Sequence, residues 1–403
     1  MAAETALLEL GLLIAAIAVV GALANRAGQS VIPFYILVGM ALNPHVAGRL
    51  TPVSLETTPF VELGAELGIV LLLLFLGFEF NLDRLLADRT RIGTAGAVDF
   101  AINFGVGLLL GFLLFGSLVP AVLAAGAIYI SSSAIISKSL IDLGWIANDE
   151  AAPILGTLVA EDLLIALYLV VAAGLTLGGG DLLAVTQSMA VAIGFILLLL
   201  LVVYRGPPLF QRLLDTDSGE FLVLRALGLA VPVAGLGLVL GVSEAVVAFF
   251  VGMALSTIDQ LPRLERLLEP IRDVFAAIFF GWIGLVTDPL VFVDVWWLIL
   301  AAVLVTTPTK LLSGYLGGQI YGLGVRRSTR ASLAMTTRGE FSLIIAALAL
   351  SGAGLGLSPA MAESVYAFAV GYVLVMSVLG TTLMQYAEHF EDLAVARLGS
   401  EPA

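Results

Sequence analysis

Apolar and polar positions fall in long blocks along this chain, not at a helical or strand period. Apolar runs bounded by charge, Pro or Gly lie near residues 5–24, 31–48, 60–80, 92–116, 119–140, 151–175, 182–204, 220–240, 243–258, 270–287, 294–318, 331–352 and 360–385. Most have the roughly 17–25 residues a helix needs to cross a hydrocarbon core about 30 Å thick; the second and ninth are short. A β-barrel would write weak alternating segments instead. The pattern therefore predicts an all-α polytopic membrane protein of about 13 transmembrane helices. The first block follows Glu4 with no basic stretch before it, so it reads as a span and not as a cleaved signal.

Composition agrees. Of 403 residues, 60% are apolar and 12% charged, half the roughly 25% charge of a soluble domain. Mean hydropathy is +1.09. Disordered chains are apolar-poor, so disorder is excluded too. A net charge of −13 leaves nucleic acid unsuited as a partner and membrane lipid as the surroundings. The absence of cysteine removes disulfides, thiol chemistry and thiolate metal sites. Of the two histidines, His45 stands at the polar end of the second block and His389 beyond the last, so neither lies mid-span.

Basic residues orient the spans. The connections after odd-numbered spans, with the block ends that flank them and the C-terminal tail, hold Arg26; Arg84, Arg89 and Arg91; Lys138; Arg205, Arg212 and Arg225; Arg263, Arg266 and Arg272; Arg326, Arg327 and Arg330; and Arg397. Even-numbered connections hold Arg49 alone. Such asymmetry predicts an outside N-terminus, a cytoplasmic C-terminus and residence in the cell membrane.

The pentapeptide VGMAL occurs at Val38–Leu42 and again at Val251–Leu255. The span after each copy ends in a related phrase, FLGFEFNLDRL (Phe75–Leu85) and FFGWIGLVTDPL (Phe279–Leu290). The copies lie seven spans apart, an odd number, so they face opposite ways, as in the inverted repeats of many secondary transporters. Repeat one is expected near 30–175 and repeat two near 243–385, inside one transmembrane domain over 1–386 with a short tail at 387–403. Spans 5 and 12 then correspond. Both are hydroxyl-rich, through Ser131, Ser132 and Ser133 in the first and Thr336, Thr337, Arg338 and Glu340 in the second. Hydroxyl-rich runs at membrane depth predict two broken helices whose unwound backbone lines a site. The bland alternative is that the hydroxyls bond back to their own helices.

A charge at the bilayer centre costs roughly 2.5–3.5 kcal/mol on insertion scales and marks a functional candidate. Glu161 and Asp162 are adjacent near the middle of span 6. Neighbours on a helix point about 100° apart, so both can line one cavity. Two carboxylates in low dielectric do not both ionise easily, which keeps one within reach of a proton. Lys310, mid-span in span 11 behind Pro308, is the expected counter-charge; one ammonium facing two carboxylates leaves about −1, which suits one monovalent cation. A buried lysine could also carry the proton itself. Arg338 and Glu340 are placed to pair with each other. Asp99, Glu79 and Glu244 lie near span ends and read as solvated or funnel-lining groups. No phosphate-binding loop, GxxxxGK[ST], is present, and no histidine stands near the span 5 serines, so neither an ATP-driven pump nor a hydrolase fits.

With these residues in view the chain resembles the monovalent cation:proton antiporter-2 family, of the sodium/hydrogen exchanger fold, which includes the Kef-type potassium efflux systems. The carriers are GFEFNLDRL after span 3, SSSA in span 5, AEDLL in span 6, Lys310, and RGEFSL in span 12. The resemblance implies exchange of Na⁺ or K⁺ for protons without a cofactor, in a homodimer whose mobile core slides against a scaffold. It implies that Asp162 carries the cation and the proton. The residue before it varies among Asp, Asn and Gln in the family and here is Glu161, one methylene longer than the usual Asp. Where that residue is a carboxylate, exchange tends to be electrogenic and the lysine matching Lys310 bonds it. Kef-type systems often continue into a nucleotide-binding RCK domain; none follows span 13 here, so control is expected from pH or from a separate cytosolic RCK-type subunit. The alternatives are a non-transporting sensor on the same fold and a K⁺ efflux pore subunit gated by such a protein.

Overall fold

The computed structural model describes residues 2–50, 55, 57–79, 89–176, 194–195, 197–199, 201–240, 244–350 and 356–399. Among them the architecture is helical throughout. Its helices are α1 (Ala2–Arg26), α2 (Ile32–Leu42), the single turn α3 (Ala47–Leu50), α4 (Pro59–Glu79) and α5 (Arg89–Asp99). A five-residue π turn, Phe100–Phe104, leads into α6 (Gly105–Phe115). Next come α7 (Leu118–Tyr129), α8 (Ser133–Asp142), α9 (Ala151–Thr176), α10 (Pro207–Leu214), α11 (Gly219–Val239), α12 (Glu244–Leu255) and α13 (Leu261–Val286). The last five are α14 (Val291–Ile320), α15 (Val325–Ala334), α16 (Glu340–Leu350), α17 (Pro359–Gln385) and α18 (Ala387–Leu398).

Among the described residues, seven helices are long and apolar enough to cross a membrane whole. They are the first, third, fourth, sixth, eighth, eleventh and thirteenth of the expected spans. The bent pair Leu197–Arg205 and Pro208–Leu214, at 74°, would make eight. The second and ninth blocks, short in sequence, form the short helices α2 and α12. Most of the seventh block, the segment from residue 80 through Arg84, and the side chain of Glu79 lie outside what is described.

The fifth and twelfth blocks are broken. Helix α7 ends at Tyr129, Ile130 is extended, and α8 restarts at Ser133 with Ser132 as its N-cap. Helix α15 ends at Ala334 and α16 restarts at Glu340. The breaks meet: the Ser132 amide donates to the Thr337 carbonyl at 3.3 Å.

Glycines bring other helices together as a matched set. A Cβ at Gly39 on α2 would run into the backbone of Gly281 and Gly284 on α13; one at Gly252 on α12 would run into Leu74 and Gly77 on α4. Gly39 and Gly252 hold the same place in the two VGMAL copies. The contact of span 2 with span 10 thus has its counterpart in that of span 9 with span 3. Small residues permit this close approach where lipid offers no hydrophobic drive between helices.

Helices α2, α4, α12 and α13 pack as one group; α5, α9, α14, α15 and α18 form another, with α7, α16 and α17 stacked beside it. A cavity of about 640 Å³ lies between α1, α2, α4 and α13 on one side and α8, α16 and α17 on the other.

Candidate functional site

The chemistry gathers where the two breaks meet. Unwinding frees main-chain groups that must be satisfied inside the protein. Arg338, fully buried, takes up the carbonyl side: Nε donates to the Ile128 carbonyl at 2.7 Å, and Nη1 donates to Met335 at 3.1 Å and Thr337 at 2.8 Å. One guanidinium thus ties the C-terminal ends of α7 and α15, where the helix dipoles leave negative partial charge. The restarting ends are served by acceptors. Glu340 opens α16 and accepts from the Ser132 hydroxyl at 2.6 Å, and Ser132 Oγ caps α8 by accepting from the Ile135 amide at 3.2 Å. The expected pairing of Arg338 with Glu340 is therefore replaced: the guanidinium is committed to carbonyls that only a broken helix exposes. Thr336 and Thr337 are buried, but their hydroxyls turn back onto the carbonyls of Leu333 and Ala334, the bland reading for these two.

Glu161 and Asp162 arrive from the middle of α9, both buried. Glu161 reaches the first break. Its Oε2 accepts from the Ser131 amide at 2.6 Å, and its Oε1 accepts from the Ser131 hydroxyl at 3.0 Å. Asp162 faces Ser133, whose hydroxyl lies 3.3 Å from both of its oxygens. The three consecutive serines Ser131, Ser132 and Ser133 therefore each touch a carboxylate, and two of those carboxylates are adjacent residues of one helix.

Lys310 does not snorkel; it is fully buried inside α14. Its ammonium donates to Glu161 Oε1 at 2.5 Å. It also donates to Asp99, at 3.0 Å to Oδ1 and 2.9 Å to Oδ2. Asp99 is only 1% exposed, so the sequence-based placement of this residue at a solvated span end is overturned. The physical reason lies in the helix: α5 begins at Arg89, which sets Asp99 ten residues deep, and the π turn follows it at once. A π turn offsets the side-chain register and is common at functional sites. Here Asn103 Nδ2 donates back to Asp99 Oδ1 at 2.8 Å and to Ser313 Oγ at 2.8 Å. Asn103 and Ser313 are not singled out in the sequence, and Asp99 is there set aside as a solvated or funnel-lining group. The signal was present: an Asp inside an apolar block with an Asn four residues on, and a Ser one helical turn past Lys310. Glu244 sits in the first turn of α12, away from this cluster.

The cavity between the helix groups reaches the site at Ser133 and Glu340. Elsewhere its wall carries charge, with Lys138 and Asp142 on α8 and Glu269, Arg272 and Asp273 on α13. Arg272 lies over the ring of Phe75, 4.4 Å from its centroid. On the same flank the tail forms a docked helix, α18. Its buried Glu391 accepts from Arg330 Nε at 2.7 Å, and Arg330 Nη1 donates to buried Glu150 at 2.8 Å. A half of one broken helix, the start of α9 and the tail therefore share one ion-pair network.

Among the described residues no cluster of His, Cys, Asp and Glu has the grouping of a metal centre. The arrangement instead offers carboxylates, hydroxyls and opened backbone beside a cavity with charged walls, a set suited to weak binding of a hard monovalent cation and a proton.

Comparison with known proteins agrees with this chemistry. The profile of the family described as "Sodium/hydrogen exchanger, transmembrane" matches residues 12–388. The chain is 35% identical over 375 residues to the K(+)/H(+) antiporter subunit KhtU of Bacillus subtilis, covering 92% of this chain and 91% of that protein. It is 30% identical over 366 residues to the ammonium/H(+) antiporter subunit AmhT of Alkalihalophilus pseudofirmus, covering 88% and 86%. Among solved structures, the sodium proton antiporter MjNhaP1 of Methanocaldococcus jannaschii superposes with a TM-score of 0.72 over 97% of this chain and 100% of that one, at 16% identity. At that identity the likeness concerns the fold.

Proposed function

The chain belongs to the sodium/hydrogen exchanger family of monovalent cation/proton antiporters, and from that premise we propose that it trades Na⁺ or K⁺ for protons at Glu161 and Asp162. The observation that carries this reading is the pair itself: two adjacent buried carboxylates, each held by a hydroxyl of a broken helix, beside a cavity that reaches Ser133. A cation arriving through the cavity meets carboxylate and hydroxyl oxygens and displaces protons from them. Protons arriving later displace the cation. Both ligands compete for one site, so coupling needs no further gate.

The helices divide into a scaffold, α1, α2, α4 and α11–α13, and a core, α5–α9 and α14–α17. The core slides as an elevator between inward and outward states, and the state seen here is inward-facing. Two features support this: the cavity runs between the two groups, and its charged wall lies on the flank whose connections carry the basic residues. Orientation follows the same asymmetry, with the N-terminus outside, the C-terminus in the cytoplasm, and the protein in the cell membrane. Assembly is as a homodimer. A separate cytosolic subunit of the RCK type regulates it; the relatives named as antiporter subunits support the presence of a second subunit.

Competition gives the test. In reconstituted vesicles, pulses of NaCl or KCl are expected to release protons, and the salt that works names the ion. Lowering the pH is expected to raise the apparent KM for that ion, by up to about tenfold per pH unit for each proton displaced, at little change in maximal rate. A KM independent of pH over the active range would contradict a shared site.

A further inference from the structure

Asp99 and Glu161 both hold the Lys310 ammonium, but they are held differently themselves. Glu161 is bonded to Ser131, within the break that any rearrangement of the site must move. Asp99 is bonded within its own helix and to α14: four donated hydrogen bonds converge on it, two from Lys310, one from Asn103 and one from Ser313. Every partner there donates, so the set fits the ionised carboxylate. Lys310 is fully buried. Were Glu161 its sole counter-ion, a cation taking the Glu161 oxygen would leave the buried ammonium without a counter-charge or force it to discharge.

We propose that Asp99 is the second seat of Lys310, a positioning residue that keeps this ammonium charged while Glu161 gives up its hydrogen bond to the incoming cation. The inference rests on the antiport reading and goes beyond it. Lys310 then carries no exchanged proton. The exchangeable protons ride on Glu161 and Asp162, and Lys310 with Asp99 forms a fixed neutral pair behind them. The site facing the cavity has two acidic groups and no net positive charge from the lysine. One monovalent cation can then trade against two protons, which makes exchange sensitive to membrane potential.

The lysine content makes this testable, since Lys138 and Lys310 are the only two lysines. Protein labelled with ¹⁵N at the lysine Nζ gives two side-chain signals, and Lys138→Arg assigns them. At mildly alkaline pH the ammonium signal of Lys310 is expected to persist when NaCl or KCl is added to wild type, and to be lost on the same addition in Asp99→Asn. In vesicles, Asp99→Asn is expected to raise the apparent KM for the cation about tenfold or more, because the cation must then displace from Glu161 an ammonium that has no second carboxylate to take it. Removing both charges in Asp99→Asn/Lys310→Gln is expected to recover most of that loss, which a purely structural role for Asp99 would not allow. Should Asp99→Asn fail to fold, the double variant strands no charge, and the wild-type signal under salt still decides. The proposal is overturned if the wild-type ammonium disappears on adding salt, if Asp99→Asn keeps it, or if the double variant is no better than the single. Absence of any cation-driven proton flux in wild type would instead sink the antiport reading.

Discussion

At the level of single residues, the buried charges divide into those that hold the broken helices and those proposed to exchange. Arg338 is of the first kind. It bonds three carbonyls from two different helices, and its planar fork reaches both breaks at once. Arg338→Met would leave these buried acceptors without their donor. At roughly 1–3 kcal/mol each, the loss should exceed about 3 kcal/mol and appear as a large drop in thermal stability in detergent. Arg338→Lys should recover only part, because one ammonium cannot span the same carbonyls. Equal stability of all three proteins would remove Arg338 from this role. The sequence made Glu161, Asp162 and Lys310 legible because charge within an apolar block is costly and therefore conspicuous. The same rule missed Asp99, which was judged by its nearness to the edge of a block, while the helix that carries it begins before the apolar run does.

At the level of elements, the breaks in spans 5 and 12 were readable from clustered serines and threonines, and the structure places them face to face. What each hydroxyl does was not readable. Ser131 and Ser133 turn to carboxylates, whereas Thr336 and Thr337 cap their own helix; that choice depends on which helix lies opposite. The repeated VGMAL was readable as a repeat, but its meaning is steric. Each copy supplies the glycine at which two helix backbones come close. Gly252→Ala should push α12 off α4 and cost about 1–3 kcal/mol, the usual penalty for overpacking. Gly39→Ala should cost a similar amount against α13, since it makes the corresponding contact. Thermal unfolding of both variants checks this, and indifference at either glycine would argue that the helices separate there at no cost.

At the level of the whole molecule, the proposed elevator exchange requires one group of helices to move against the other. The chain has no cysteine, so introduced pairs report cleanly. Ser137→Cys on α8 and Ala277→Cys on α13 stand on opposite walls of the cavity. Joining them with a short bifunctional reagent should stop exchange, and a reducible reagent should restore it on cleavage. Exchange that continues unaltered in the joined protein would contradict an elevator. Overall fold was the most legible property, because block length and the asymmetry of basic residues follow directly from the membrane. The site needed the crossing of two distant breaks, which no local pattern encodes. The central claim is that Asp162 carries cation and proton in turn, and proton flux in everted vesicles holding a pH gradient tests it most directly, with wild type beside Asp162→Asn. Pulses of NaCl or KCl should collapse the gradient in wild type and leave it standing in the variant; an Asp162→Asn protein that still dissipates the gradient at the wild-type rate would contradict the assignment.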